Sequence, residues 1–192
     1  MKKFELTSEF VTFLGKKLFR IKALVEFGNV EAGELGGYIE KEENLSQSGN
    51  AWVYGDAKVY GNARVYGDAK VCGDAKVYGD AEVYGDAKVC GDAKVYGDAK
   101  VYGDAWVCGD ADYAYAHGFG SYFRTTTFFR LKDGGVGVRC GCFYGTLQEF
   151  RDRVRETHKN TKKAREYLML ADLMELRFSK EETGDENSKG NN

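Results

Sequence analysis

The sequence predicts a mainly β protein: a parallel β-helix of triangular 18-residue coils, with an N-terminal β cap and a small C-terminal ββαα module. Three observations carry that prediction. Residues 49–108 read GNAWVY GDAKVY GNARVY GDAKVC GDAKVY GDAEVY GDAKVC GDAKVY GDAKVY GDAWVC, one six-residue unit written ten times without insertion. Each unit has two apolar positions, Val and an Ala four residues later, which fits neither the period of two of a flat strand nor the 3.6 of a helix. Each also holds a Gly-Asp or Gly-Asn pair, residue types that accept the positive φ of a tight corner. A short extended side followed by such a corner, three times over, closes a triangle with Val pointing inward and Ala where only a small side chain fits.

The elements follow in order: an N-terminal β cap (1–36), the β-helix (37–114), a C-terminal α/β module (115–178) and a disordered tail (179–192). Glu9–Leu14 and Lys17–Leu24 read as two short strands across a Gly15-Lys16 turn. Ile39 and Leu45 lie in steps of six before Ala51, Ala57 and Ala63, which makes 37–48 a pair of degenerate opening hexads with Ile39 and Leu45 in the Ala position. The strands before them cover the first coil, because a solenoid needs its exposed end closed.

Winding the sequence on 18-residue coils stacks residues i and i+18 about 4.8 Å apart and turns the variable positions into columns. Cys72, Cys90 and Cys108 share one edge below Tyr54. Tyr60, Tyr78 and Tyr96 form a second column, Tyr66, Tyr84 and Tyr102 a third, and Trp52, Lys70, Lys88 and Trp106 a fourth. Lysine and aspartate ladders alternate in sign, which offsets the repulsion within each.

After Gly109 the repeat decays. Tyr122–Leu131 reads as a strand, Lys132–Gly135 as a turn and Val136–Phe143 as the returning strand. Thr146 and Glu149 make a capping box for a helix through Thr157, with Leu147, Phe150 and Val154 on one face. Thr161 caps a second helix through Phe178, with Tyr167, Leu168, Ala171 and Met174 inward.

With 192 residues, net charge −2 and pI near 5.8, the composition gives no support to a nucleic-acid or membrane-surface role. No apolar run approaches the roughly 18 residues a membrane helix needs. Acidic and polar residues interrupt the start, MKKFELTSEF, where a signal peptide would be apolar, so a cytoplasmic protein is expected. Five cysteines, an odd number, fit a reducing compartment.

The chemistry-bearing residues are few. Cys140 and Cys142 share one strand face in this reading, with His117 and His158 elsewhere, but zinc sites favour two to four residues between paired cysteines, and no metal is expected. A Cys142/His158 nucleophilic pair lacks an orienting third group, so two buried thiols are expected instead. The Cys72/Cys90/Cys108 column keeps Cβ atoms about 4.8 Å apart, beyond the 3.5–4.5 Å of a disulfide, so these cysteines are read as small side chains on one edge. Gly118–Ser121 with Arg124–Thr127 sets small residues, hydroxyls and a cation together as a nucleotide or phosphate candidate, without matching a phosphate-binding fingerprint. The tyrosine columns stabilise the stack by ring contact and, left exposed, offer the surface typical of interfaces.

The pairs Val53/Ala57 and Val59/Ala63 and their successors resemble the hexapeptide-repeat family, which implies a left-handed coil. The best-known members are trimeric CoA-dependent acyltransferases with a histidine as general base. For this chain that resemblance implies a homo-oligomer (dimer or trimer), acetyl-CoA as cofactor and His117 as the base. Outside the coil, Phe19–Val30, Gly33–Glu40, Glu43–Val53, Thr125–Phe129 and Cys140–Phe150 resemble uncharacterised proteins of enterobacteria and phages, some labelled acyltransferases.

The coil 49–108 holds no histidine and no excursion loop. The expectation is therefore a non-enzymatic binding protein without a cofactor, engaging a protein partner through Tyr60, Tyr78, Tyr96, Tyr66, Tyr84, Tyr102, Trp52, Trp106 and Arg124, as a phage- or prophage-encoded inhibitor of host defence. An acyltransferase using His117 and a nucleotide-sequestering protein using Arg124 are the alternatives.

Overall fold

Valine and alanine alternate down the axis of the molecule and decide its shape. A computed structural model describes residues 2–120 and 123–179; the proposed tail lies, beyond Ser179, outside the described residues. Every Val from Val53 to Val107 and every Ala from Ala51 to Ala99 in the hexads is fully buried. Ten two-residue strands, β4 (Trp52–Val53), β5 (Lys58–Val59) and onward at six-residue intervals to β13 (Trp106–Val107), build the three faces. They pair in parallel at a spacing of 18, Val53 with Val71, Val89 and Val107 on one face. Val59, Val77 and Val95 line the second face, Val65, Val83 and Val101 the third.

The corners turn at glycines with positive φ. Gly91 shows why the residue is required: at φ +62°, an added Cβ would also lie 2.3 Å from the Cys108 carbonyl oxygen.

The N-terminal cap continues one face of the coil. β1 (Phe4–Phe13) and β2 (Lys16–Ala23) form a hairpin through Leu14 and Gly15, both at positive φ, and β3 (Leu35–Ile39) passes the sheet on to β5. Here one expectation is corrected. Ile39 pairs with Val59 and Leu45 with Val65, a separation of 20 residues, so they occupy the Val position and not the Ala position. The corner between Leu45 and Val53 is two residues longer than the others.

Polar side chains close both ends of the coil. Lys3 Nζ donates to the carbonyls of Gly49 (3.3 Å) and Ala51 (2.9 Å), and buried Asn44 Nδ2 donates to those of Gly61 (3.1 Å) and Ala63 (2.8 Å). At the far end Asp110 Oδ1 accepts from Lys94 N (2.8 Å), Thr127 Oγ1 from Lys100 N (3.0 Å) and Asp112 Oδ2 from Cys108 N (2.9 Å). These side chains stand in for the backbone of a further coil, so the open edges that invite stacking are blunted.

The C-terminal module is larger than a hairpin and two helices. β14 (Tyr113–Phe119), β15 (Arg124–Arg130), β16 (Val136–Cys140) and β17 (Phe143–Thr146) form an antiparallel sheet in chain order, followed by α1 (Leu147–His158) and α2 (Lys162–Phe178). The decaying repeat supplies β14; the expected return strand Val136–Phe143 stops at Cys140, and after a turn its last residue, Phe143, opens a further strand, β17, that was not expected. Thr146 and Glu149 form the capping box, and Thr161 caps α2. Adjacent side chains on β15 point opposite ways: Phe129 closes the valine core, and Phe128 packs with Phe150, Tyr167 and Phe178 beneath the helices. The sheet is thus both the plug of the coil and the floor of the module.

Candidate functional site

The tyrosine columns form as the 18-residue winding requires. Tyr60 and Tyr78 stack at 5.1 Å between ring centroids, Tyr78 and Tyr96 at 5.3 Å, and Tyr66 and Tyr84 at 4.7 Å. Their availability differs from expectation. Tyr60 is buried beneath the cap hairpin, against Phe13 and Leu18, and cannot meet a partner. Burial also pushes its hydroxyl pKa upward. Tyr96 is exposed, while Tyr78, Tyr66, Tyr84 and Tyr102 are half-buried. Both columns end against the C-terminal module, Tyr96 edge-on to Tyr115 at 5.9 Å and Tyr102 edge-on to Tyr144 at 4.7 Å.

The two tryptophans are not equivalent. Trp52 is fully buried, with Phe4 and Phe27 packed edge-on against it, so it belongs to the cap and not to a binding surface. Trp106, at the other end of the column, is exposed, and Lys88 Nζ lies 4.6 Å from its ring centroid.

The cysteine column also departs from expectation. Cys90 and Cys108 form a disulfide, with Cα atoms 4.5 Å apart. That separation falls inside the range a disulfide accepts, because coil strands at this corner approach more closely than the ideal spacing. Cys72 remains a half-buried thiol whose pKa burial raises, against the pull of Lys88 and Lys70. Cys140 and Cys142 do not share a strand face either. β16 ends at Cys140, and Gly141 (φ +58°) with Cys142 makes the turn into β17, which leaves Cys142 exposed.

His117 sits on β14 just past the coil, largely exposed. Its Nδ1 lies 3.0 Å from Thr125 Oγ1 and 3.8 Å from Asp98 Oδ2. Among the described residues no group of three or more His, Cys, Asp or Glu side chains could hold a metal ion.

The concavity that stands out belongs to the C-terminal module. A cleft of about 950 Å³ opens between the β16–β17 turn and α1, and Arg124, Cys140, Phe143, Arg153, His158 and Tyr167 are among its walls. Its chemistry is mixed. Phe143 and Phe150 give an apolar floor, Arg124 and Arg153 bring positive charge, and Glu149, Asp152 and Glu156 bring negative charge. Thr126 Oγ1 donates to Cys140 Sγ (3.1 Å), and Tyr167 OH donates to the Phe119 carbonyl (3.3 Å). Burial, then the neighbouring Cys140, pushes the Tyr167 hydroxyl up to about 12, so it stays protonated as a donor. His158 stacks on the Tyr167 ring at 5.8 Å between centroids.

Of the residues singled out from the sequence, the fold brings Arg124, Cys140, Cys142 and His158 together here and leaves His117 and the tyrosine columns apart. That α1 would form a wall of this cleft, with Glu149, Asp152, Arg153 and Glu156 on it, was not foreseen. Nothing in the sequence said which sheet turn the helix would meet.

Residues 57–73 match the family model described as the YdcK beta solenoid repeat. No curated protein matches the chain. The match covers coil residues alone, and it agrees with the geometry: this is a β-solenoid protein. Among the described residues no helix is long and apolar enough to cross a membrane.

Proposed function

We propose that the protein is a non-enzymatic binding protein in which a rigid coil supports the C-terminal module, and the module's cleft receives a segment of a protein partner. The observation that supports this reading is the cleft beside Arg124, with an apolar floor and charges of both signs on its rim. Such a mixture suits side chains of a protein chain, where a few buried contacts give affinity and rim charges give selectivity. Exposed Trp106 and Tyr96 extend the available surface along the coil. The flanking segments' resemblance to phage and enterobacterial proteins suggests a cytoplasmic host component, such as part of a defence system, as the partner.

The test is retention of a partner in fixed stoichiometry. Tagged protein recovered from its host should bring down one protein, which a paired Arg153→Glu, His158→Ala variant loses while its thermal unfolding is unchanged. A partner kept equally by that variant removes the cleft from the reading.

A second reading rests on His117, whose imidazole lies beside Asp98 at the exit of the coil. A carboxylate near one ring nitrogen leaves the other to act as a general base in acyl transfer from acetyl-CoA. Acetyl-CoA binding, with transfer abolished in His117→Ala, would replace the binding reading by this one. Nucleotide sequestration near Arg124 is the third; Ser121 of that candidate loop lies outside the described residues, and a nucleotide screen by thermal shift decides it.

A further inference from the structure

The inner face of α2 is occupied by the module's core, through Ala164, Tyr167, Ala171, Met174 and Phe178. Its opposite face is apolar as well. Met169 (71% exposed), Leu173 (54%) and Leu176 (73%) follow one another at steps of four and three, which aligns them in a single stripe along the helix. Elsewhere among the described residues the exposed large apolar side chains are spread over the cap, the coil and the sheet of the C-terminal module with its Phe123 loop. A helix with apolar stripes on both sides is built to be covered on both.

We propose that this stripe is a homodimer interface, in which α2 of a second copy of the chain packs antiparallel against it. Residues 180–192 read KEETGDENSKGNN and contain no aliphatic or aromatic side chain that would match the stripe. The stripe instead complements itself, as a twofold interface must. An axis beside Leu173 sets Met169 of each copy on Leu176 of the other and brings the two Leu173 side chains together.

The charges agree with that direction. Glu166 and Arg177 border the stripe on the same side of the helix, near its opposite ends. In an antiparallel pair like sides meet, so Glu166 of each copy lies beside Arg177 of the other, whereas a parallel pair would turn these two sides to opposite flanks and leave both charges without each other. Within one copy these two groups make only long contacts, Glu166 at 3.7 Å from Lys162 and Arg177 at 3.4 Å from the Asp110 carbonyl. The interface is remote in role from the cleft, and either can fail without the other.

The experiment is a light-scattering mass of the full chain over a range of micromolar concentrations. The expected result is twice the monomer mass of 21.4 kDa, falling to the monomer in Leu173→Glu with an unchanged circular dichroism spectrum. Glu166→Arg alone should weaken the dimer at least tenfold, and adding Arg177→Glu in the same chain should restore it. That rescue separates a specific antiparallel pairing from general stickiness. A wild-type protein that stays monomeric, a trimer, or a dimer indifferent to Leu173→Glu would each overturn the proposal.

Discussion

Glu82 receives the guanidinium of Arg64 from the coil before it, a pairing that the 18-residue winding imposes on two residues far apart in sequence. Lys100 Nζ reaches the same carboxylate from the coil after, at 3.2 Å, and Tyr66 OH donates to it at 3.1 Å. On the other two faces the equivalent columns stack lysine on lysine. The single glutamate among the hexads therefore relieves one face.

Glu82→Lys should cost about 1–2 kcal/mol in urea unfolding, since two partly exposed pairs become repulsions. Burial works to raise the Glu82 pKa, but the hydrogen bonds from Arg64 and Lys100 prevail and hold it below its ordinary value of 4.5. A depressed carboxylate stabilises the fold above the unfolded-state pKa and loses that contribution as pH falls through the folded one. Glu82→Gln should accordingly flatten the decline in stability below about pH 4.5. An unchanged acid profile would show that the stack contributes nothing.

Trp52 and Trp106 end the same column and should answer truncation differently. Trp52→Ala removes a fully buried ring held by Phe4 and Phe27, for an expected loss of about 3–5 kcal/mol. Trp106→Ala removes an exposed ring and one cation–π contact, and should cost no more than about 1 kcal/mol. Chemical denaturation of both variants checks the contrast.

Lys3 gives the cap a signature in alkaline solution. Burial, only partly opposed by the charge of Asp68, brings its pKa from 10.5 down to about 8. Below that value the ammonium is charged in both states and its burial counts fully against folding. Between about 8 and 10.5 the unfolded chain binds more protons, so this group makes stability rise with pH. The melting temperature of Lys3→Met, compared with wild type from pH 7.5 to 10, should lack that rise, so that the variant falls further behind wild type as pH increases and the Gly49 and Ala51 carbonyls go without their donor. Parallel curves would refute the assignment.

Thiol titration tests the cysteine edge. Of five cysteines, Cys72, Cys140 and Cys142 are free, so unfolded protein purified without reductant should show three reactive thiols. Cys90→Ser should show four. Five in the wild type would return Cys90 and Cys108 to the free state expected from the sequence.

The coil was legible in the residues: a strict six-residue period with inward Val and Ala gives an 18-residue turn, and that turn fixes every column of tyrosine, cysteine and lysine. The helix caps at Thr146 and Thr161 were legible for a similar reason, because capping is a local contract between neighbours in the chain. Which column face stays open is settled by packing between segments distant in the chain. Tyr60 reads like Tyr78 and Tyr96, and Trp52 like Trp106, yet the cap lies over the first of each, and nothing in a hexad records what packs outside it. The turn at Gly141–Cys142, the approach of Cys90 to Cys108 and the cleft between that turn and α1 also depend on contacts between segments distant in sequence. Periodicity is a property of the chain, and coverage is a property of the fold.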